Sequence, residues 1–190
     1  MVNKGTERLY NLSAQNCGSI SPPFTRDQRG DTLRIGIYPG SFDPVTLGHW
    51  DLVLRAASMV DRLVVAVLNN HSKVPFFSAI ERMEYLNELF QGHPSLEVIT
   101  NEGLLVDCAK KVGASLVIRG VRAFSDFEYE FQMALANRQL APDLETVFLL
   151  PKVENSFISS RIVREVGRMG GDLTGLVPEC LKARIAAKLH

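Results

Sequence analysis

The segment Arg62–Leu68 reads RLVVAVL, and after its arginine no polar residue marks a solvent face. A strand of that kind has to be covered on both sides, which is the situation of a strand in a parallel sheet between two helical layers. The rest of the chain keeps the matching rhythm. Leu33–Tyr38, Leu96–Thr100, Leu116–Ile118 and Thr146–Leu150 are four further strand candidates. Between them lie helical patterns from about Gly48 to Met59, from Ser78 to about Phe90, over Leu105–Val112, and from Ser125 to about Leu140. Two more follow near Ser160–Arg168 and Pro178–Lys188. Ser78 with Glu81, and Ser125 with Glu128, have the spacing of capping boxes. Strands that alternate with helices predict right-handed crossovers. The expected fold is α/β: a single Rossmann-like domain with a five-stranded parallel sheet and helices on both faces.

The first residues do not share this rhythm. Residues 1–31 mix Asn, Ser, Gly, Gln and Pro without a hydrophobic period, and read as a flexible N-terminal extension or leader; residues 32–190 form the domain. The 21 basic and 21 acidic residues cancel, so no global charge points to nucleic acid or a membrane surface. Any phosphate site has to be a local cluster. Cys17, Cys108 and Cys180 are widely spaced and odd in number, as in a reduced cytoplasmic protein. No apolar run approaches the roughly 18 residues of a membrane span.

In such folds ligands bind beyond the carboxyl ends of the strands, near the point where strand order reverses. Five segments therefore matter, those following Tyr38, Leu68, Thr100, Ile118 and Leu150. The first is PGSFDPVTLGH, Pro39 to His49. Gly40 suits a tight turn, Gly48 permits close approach to the next helix, and a helix N-terminus suits phosphate. His49 and Ser41 are placed to donate hydrogen bonds to phosphoryl oxygens from opposite walls. The second segment carries Lys73, a phosphate ligand or a solvated loop lysine. In the third, Gly103-Leu104-Leu105-Val106, the apolar residues at the helix start belong to the core, or one of them meets an uncharged part of a substrate.

The fourth segment, Arg119-Gly120-Val121-Arg122, sends two guanidiniums out of a buried strand. They match phosphate oxygens, or pair with Asp126, Glu128 or Glu130, and both readings can hold together. Glu130 is suited to ribose hydroxyls or to a metal-bound water. The fifth, Asn155-Ser156-Phe157-Ile158-Ser159-Ser160-Arg161, offers hydroxyls that cap a helix or cradle phosphates, and Arg161 adds charge. No Walker motif, Rossmann glycine fingerprint, Ser-His-Asp set or convincing metal cluster is present. Donors and cations without an obvious nucleophile suit direct transfer of a phosphoryl or nucleotidyl group between two bound substrates.

These segments resemble those of the bacterial phosphopantetheine adenylyltransferases, in the nucleotidyltransferase superfamily marked by T-x-G-H or H-x-G-H. Here the motif is Thr46-Leu47-Gly48-His49, within PGSFDPVTLGH; RGVRAFSDFEYEFQMALANR and the SFISSR stretch followed by Val163-Arg164-Glu165 make the likeness specific from about Arg34 to the C-terminus. The resemblance implies transfer of the adenylyl group of ATP to 4′-phosphopantetheine, giving dephospho-coenzyme A and pyrophosphate. It implies catalytic roles for His49, Lys73 and Arg122. Ser41, Lys73, Leu105 and Arg119 would hold phosphopantetheine. Ser41, Phe42, His49, Gly120, Val121, Arg122, Glu130 and residues Asn155 to Arg161 would bind ATP. It further implies Mg2+ carried by ATP without protein ligands, a homohexamer, and feedback binding of coenzyme A. Asn155 stands where an aromatic residue is common in the family, and Arg161 where serine is usual.

Three rivals remain. A related nucleotidyltransferase would act on nicotinate mononucleotide or glycerol 3-phosphate, but the RGVR and SDFEYEFQMA segments oppose it. A non-catalytic nucleotide-binding regulator would show erosion at Ser41, His49, Lys73 or Arg119, and none is missing. A nucleic-acid module lacks the aromatic and basic stripe it would need.

Overall fold

A computed structural model describes residues 25–26, 32–68 and 74–190. Five parallel strands form one sheet: β1 Ile35–Gly40, β2 Arg62–Leu68, β3 Leu96–Asn101, β4 Leu116–Gly120 and β5 Glu145–Leu149. Their spatial order is β3-β2-β1-β4-β5. The chain winds outward from β1 to β3, then returns to the other side of β1 for β4. The order reverses between β1 and β4.

The sheet starts later than the expected Leu33. Leu33 belongs instead to a two-residue antiparallel ladder, Thr32–Leu33 with Thr25–Arg26. Thr25–Arg26 thus forms paired backbone inside the expected extension; residues 1–24 and 27–31 lie outside the described part.

The apolar runs are shared between two faces by strand alternation. Leu63, Val65 and Val67 join one core, and Val64 and Ala66 the other. The first core is covered by α1 Leu47–Ala57, α2 Ala79–Leu89, α5 Ser160–Arg168 and α6 Glu179–Leu189, through residues such as Leu52, Leu86, Val163 and Ile185. The second is covered by α3 Leu105–Val112 through Val106 and Ala109. The long helix α4, Phe124–Leu140, lies outside α3 and β5, and Asn137 is its one buried residue.

The capping box at Ser78 forms on both sides: Glu81 accepts from the Ser78 N–H at 2.8 Å and donates its own N–H to the Ser78 hydroxyl. The one expected at Ser125 does not. α4 begins at Phe124, so Ser125 lies inside its first turn, and the carbonyl of Ala123 receives the N–H groups of Asp126 and Phe127. The fifth segment contains a short 3₁₀ turn, Val153–Asn155, that the sequence does not announce. No helix among the described residues is long and apolar enough to cross a membrane.

Candidate active site

β1 pairs with β2 along six residues, but with β4 only at Gly36–Leu116 and Ile37–Val117. Beyond those pairs the two strands part, and the crevice opens at the reversal point. Arg119 fills part of the gap: its guanidinium donates to the Pro39 carbonyl and to both oxygens of Glu130 on α4. Gly120 keeps the crevice passable, since a Cβ there would lie 2.4 Å from Leu52 Cδ1 and 3.2 Å from the Tyr38 hydroxyl.

The crevice is a cleft of about 580 Å³, lined by residues from the segments that follow β1, β2, β4 and β5 but by none from the segment after β3. Five guanidiniums, Arg82, Arg119, Arg122, Arg161 and Arg164, face it with three carboxylates, Asp43, Asp126 and Glu130. A neutral chain has concentrated positive charge in one concavity, which favours anionic ligands.

Most of these cations are already held. Arg122 donates to Asp126 at 3.0 Å and to the Ile158 carbonyl at 2.9 Å, which joins the β4 exit to the start of α5. Arg164 donates to the backbone and carboxylate of Asp43. Arg82 is 2% exposed and reaches the carbonyls of Ser41 at 2.7 Å and Leu68 at 3.2 Å, where β1 and β2 end. Arg161 is exposed on the cleft wall and forms no ion pair among the described residues. Burial alone would pull the pKa of Arg119 down; its hydrogen bond and charge pairing with Glu130 more than offset this and raise it.

The loop from β1 to α1 is set by its own contacts. Phe42 has φ of 48°, the left-handed region that bulky residues avoid. Its ring is fully buried beneath the cleft and meets the His49 ring edge-on at 5.1 Å. Asp43 accepts the N–H groups of Phe76 at 3.0 Å and Phe77 at 2.7 Å, which fastens the residues before α2 to the loop. Thr46 is the N-cap of α1, with His49 as its capping-box partner. Burial first, then the charges of Arg122 and Arg119, push the pKa of His49 down to about 4, so the ring is neutral near pH 7.

Of the residues named from sequence, the cleft brings together Ser41, His49, Arg119, Gly120, Arg122, Glu130, Ile158, Ser159, Ser160 and Arg161. Ser159 caps α5, and the Ser160 hydroxyl donates to the Pro44 carbonyl at 2.7 Å. Phe42 and Val121 are buried beside the cleft rather than on its wall, and Leu105 opens α3 half-buried against the second core. Asn155, Ser156 and Phe157 stand on the turn before α5, outside the lining. Lys73 lies outside the described residues. The pairing reading of the two arginines holds: Arg119 is paired with Glu130 and Arg122 with Asp126, and both guanidiniums line the cleft.

Sequence reasoning gave no role to Arg82, Asp43 or Arg164. Arg82 follows a capping box and looks like any solvated helix arginine. Arg164 was visible in the Val163-Arg164-Glu165 stretch, but nothing there names Asp43 as its partner.

Residues 37–166 match the cytidylyltransferase-like family. The chain is 52% identical over 156 residues to the phosphopantetheine adenylyltransferase of Desulforamulus reducens, covering 82% of this chain and 97% of that protein. It is 49% identical, covering 82% and 98%, to the enzyme of that name from Caldanaerobacter subterraneus subsp. tengcongensis. Among solved structures, a putative nicotinate-nucleotide adenylyltransferase from Vibrio parahaemolyticus superposes with a TM-score of 0.63, covering 83% of this chain and 95% of that one. At 14% identity that likeness speaks to the fold alone. With the cleft at the sheet's reversal point and near-full-length relatives at about half identity, this chain belongs to the cytidylyltransferase-like family and, within it, to the phosphopantetheine adenylyltransferases.

Proposed function

We propose that this chain transfers the adenylyl group of ATP to 4′-phosphopantetheine, giving dephospho-coenzyme A and pyrophosphate. The observation that carries the reading is the cleft at the β1–β4 parting, where His49 and five guanidiniums meet. The named relatives supply the substrate class.

A phosphate oxygen of phosphopantetheine attacks the α-phosphorus of ATP in line. One P–O bond forms, the bond from the α-phosphorus to the bridging oxygen breaks, and pyrophosphate leaves with that electron pair. The protein's task is to position two anions and stabilise charge that spreads over phosphoryl oxygens. His49 donates to an α-phosphoryl oxygen, and Arg122 and Arg161 lie near the start of α5, where the departing phosphates gain charge. Arg119, with Lys73 and Ser41, receives the acceptor phosphate. Leu105 meets the pantetheine arm. Main-chain groups from Phe42, Gly120 and Val121, with Asn155 to Arg161, surround the nucleotide, and Glu130 faces its ribose. Magnesium arrives with ATP as part of the substrate.

The enzyme works in the cytoplasm, a reading supported by the free thiols of Cys108 and Cys180. It works as a homohexamer, for which the apolar outer surface of α4 offers a contact face. Coenzyme A binds the same cleft as a feedback ligand, because it shares the pantetheine arm with the product. The test of the reaction is pyrophosphate release from ATP and magnesium, with 4′-phosphopantetheine compared against nicotinate mononucleotide. Release only with phosphopantetheine, with dephospho-coenzyme A found by mass spectrometry, supports the proposal. ATP binding without release from either acceptor overturns it in favour of a regulator.

A further inference from the structure

We propose that Thr46 is a positioning residue that holds His49 as the neutral tautomer with its proton on Nε2, so that the cleft always presents a donor there. The backbone N–H of Thr46 points at His49 Nδ1 from 3.1 Å. A main-chain N–H can only donate, so Nδ1 must accept, and a proton on Nδ1 would face another proton. The Thr46 hydroxyl lies 3.1 Å from the same nitrogen and accepts the His49 N–H at 3.3 Å, so its own proton is free to point at Nδ1. Thr46 is 2% exposed, which shields both contacts from water. The ring's one proton is left on Nε2. That nitrogen has no hydrogen-bond partner among the described residues, and His49 lines the cleft.

The surroundings discourage a second proton. The charged groups that act on the ring are Arg122 and Arg119, both cations, and the Phe42 ring packs against it at 5.1 Å. A neutral donor differs from an imidazolium in what it does during the reaction. It supplies a hydrogen bond that strengthens as the α-phosphoryl oxygens gain charge, without titrating over the range where the acceptor phosphate itself changes charge. This inference rests on the proposed reaction for its use, but the tautomer is a property of the ligand-free protein.

The experiment is long-range proton–nitrogen correlation NMR on the full chain labelled at histidine nitrogens, with His49→Gln to assign the His49 signals among the four histidines. The expected result is an unprotonated Nδ1 and a protonated Nε2 for His49, unchanged from pH 8 to pH 6. A proton on Nδ1, or a doubly protonated ring at pH 7, overturns the proposal. Kinetics then assess the role of Thr46. Thr46→Val should lower kcat about tenfold with KM for ATP changed less than about threefold, and Thr46→Ser should restore most of it, the size of effect for loosening one positioned donor. Equal loss of kcat in both variants, with unchanged His49 nitrogen shifts, removes the positioning role. A correct tautomer in a protein that releases no pyrophosphate would leave the inference standing and defeat only the proposed reaction.

Discussion

The carboxylate of Asp43 meets the guanidinium of Arg164 at 3.2 Å, across 121 residues of sequence. The same carboxylate accepts the N–H groups of Phe76 and Phe77, so one buried side chain joins the β1–α1 loop, the approach to α2 and helix α5. All three border the cleft. Removing it leaves two N–H donors without their acceptor and a half-buried cation with only the Asp43 backbone carbonyl, a change that costs several kcal/mol where the site cannot rehydrate. Asp43→Ala should lower unfolding stability by about 2–4 kcal/mol, read as a shift of the denaturant midpoint at constant slope. Asp43→Asn, which keeps one acceptor oxygen, should lose less. Equal midpoints for wild type and Asp43→Ala would show that these contacts do not hold the loops.

His49→Ala should lower turnover by roughly 10²–10³, the scale for deleting a donor aimed at developing charge. The fold should survive, because His49 lines the cleft rather than joining either core, and Phe42 fills the space beneath it. Pyrophosphate release checks the first statement and thermal unfolding the second. Turnover within threefold of wild type in a folded variant would remove His49 from the chemistry.

Arg119 and Glu130 share a two-pronged contact at the parting of β1 and β4. Arg119→Ala should reduce phosphopantetheine use more than ATP binding, since Arg122 and Arg161 remain for the nucleotide. Lys73→Ala is expected to show the same bias. Arg119→Lys keeps a charge but loses the planar fork, so recovery should be partial. Calorimetry with each ligand separates these effects, and equal weakening of both ligands would contradict the division.

The strands were legible because their composition carries the fold. A run such as RLVVAVL has no solvent-facing alternative, and its register follows once both faces are covered. The cleft's backbone segments were legible for the same reason, since strand order locates the crevice. What holds those segments was not. Arg82 is buried by carbonyls at Ser41 and Leu68, partners 41 and 14 residues away, and no local pattern separates it from a surface arginine. Ser125 shows the converse failure. Its spacing to Glu128 copies that of Ser78 to Glu81, yet Arg122 has claimed Asp126 and the helix starts one residue before the serine.

Glu81 provides a pH test of the link between α2 and α6. Lys188 hydrogen-bonds both its carboxylate oxygens, and that contact, together with the Ser78 cap, holds its pKa at about 2, below the ordinary 4.5. A depressed carboxylate pKa stabilises the fold above the unfolded value, and the contribution disappears as pH falls from about 4.5 to about 2. Lys188→Met keeps an apolar stem over the Phe77 ring and removes the charge. The stability gap between wild type and this variant should be less than about 1 kcal/mol at neutral pH, because the pair is solvent-accessible. Melting curves should show the gap narrowing on acidification. A gap that widens between pH 5 and pH 2 would mean that Glu81 is not held in its ionised form.

Helix α4 carries the last prediction. Phe124, Phe127, Phe131 and Leu135 follow one another at spacings of three, four and four, which puts them in a single stripe. Phe124 is 86% exposed and Leu135 53%, while Phe127 stacks on Phe131 at 5.6 Å and meets Phe148 of β5 at the same distance. Tyr129, Met133 and Leu140 extend the exposed apolar surface to other faces of the helix. A helix that is apolar around much of its circumference is stable in water only when something covers it. Self-association of this chain is the expected cover. Leu135→Glu, which touches neither the cleft nor either core, should convert the assembly to smaller species by light scattering while the isolated subunit keeps its circular dichroism. Unchanged particle mass in Leu135→Glu and in Phe124→Glu would exclude this stripe from the subunit contact.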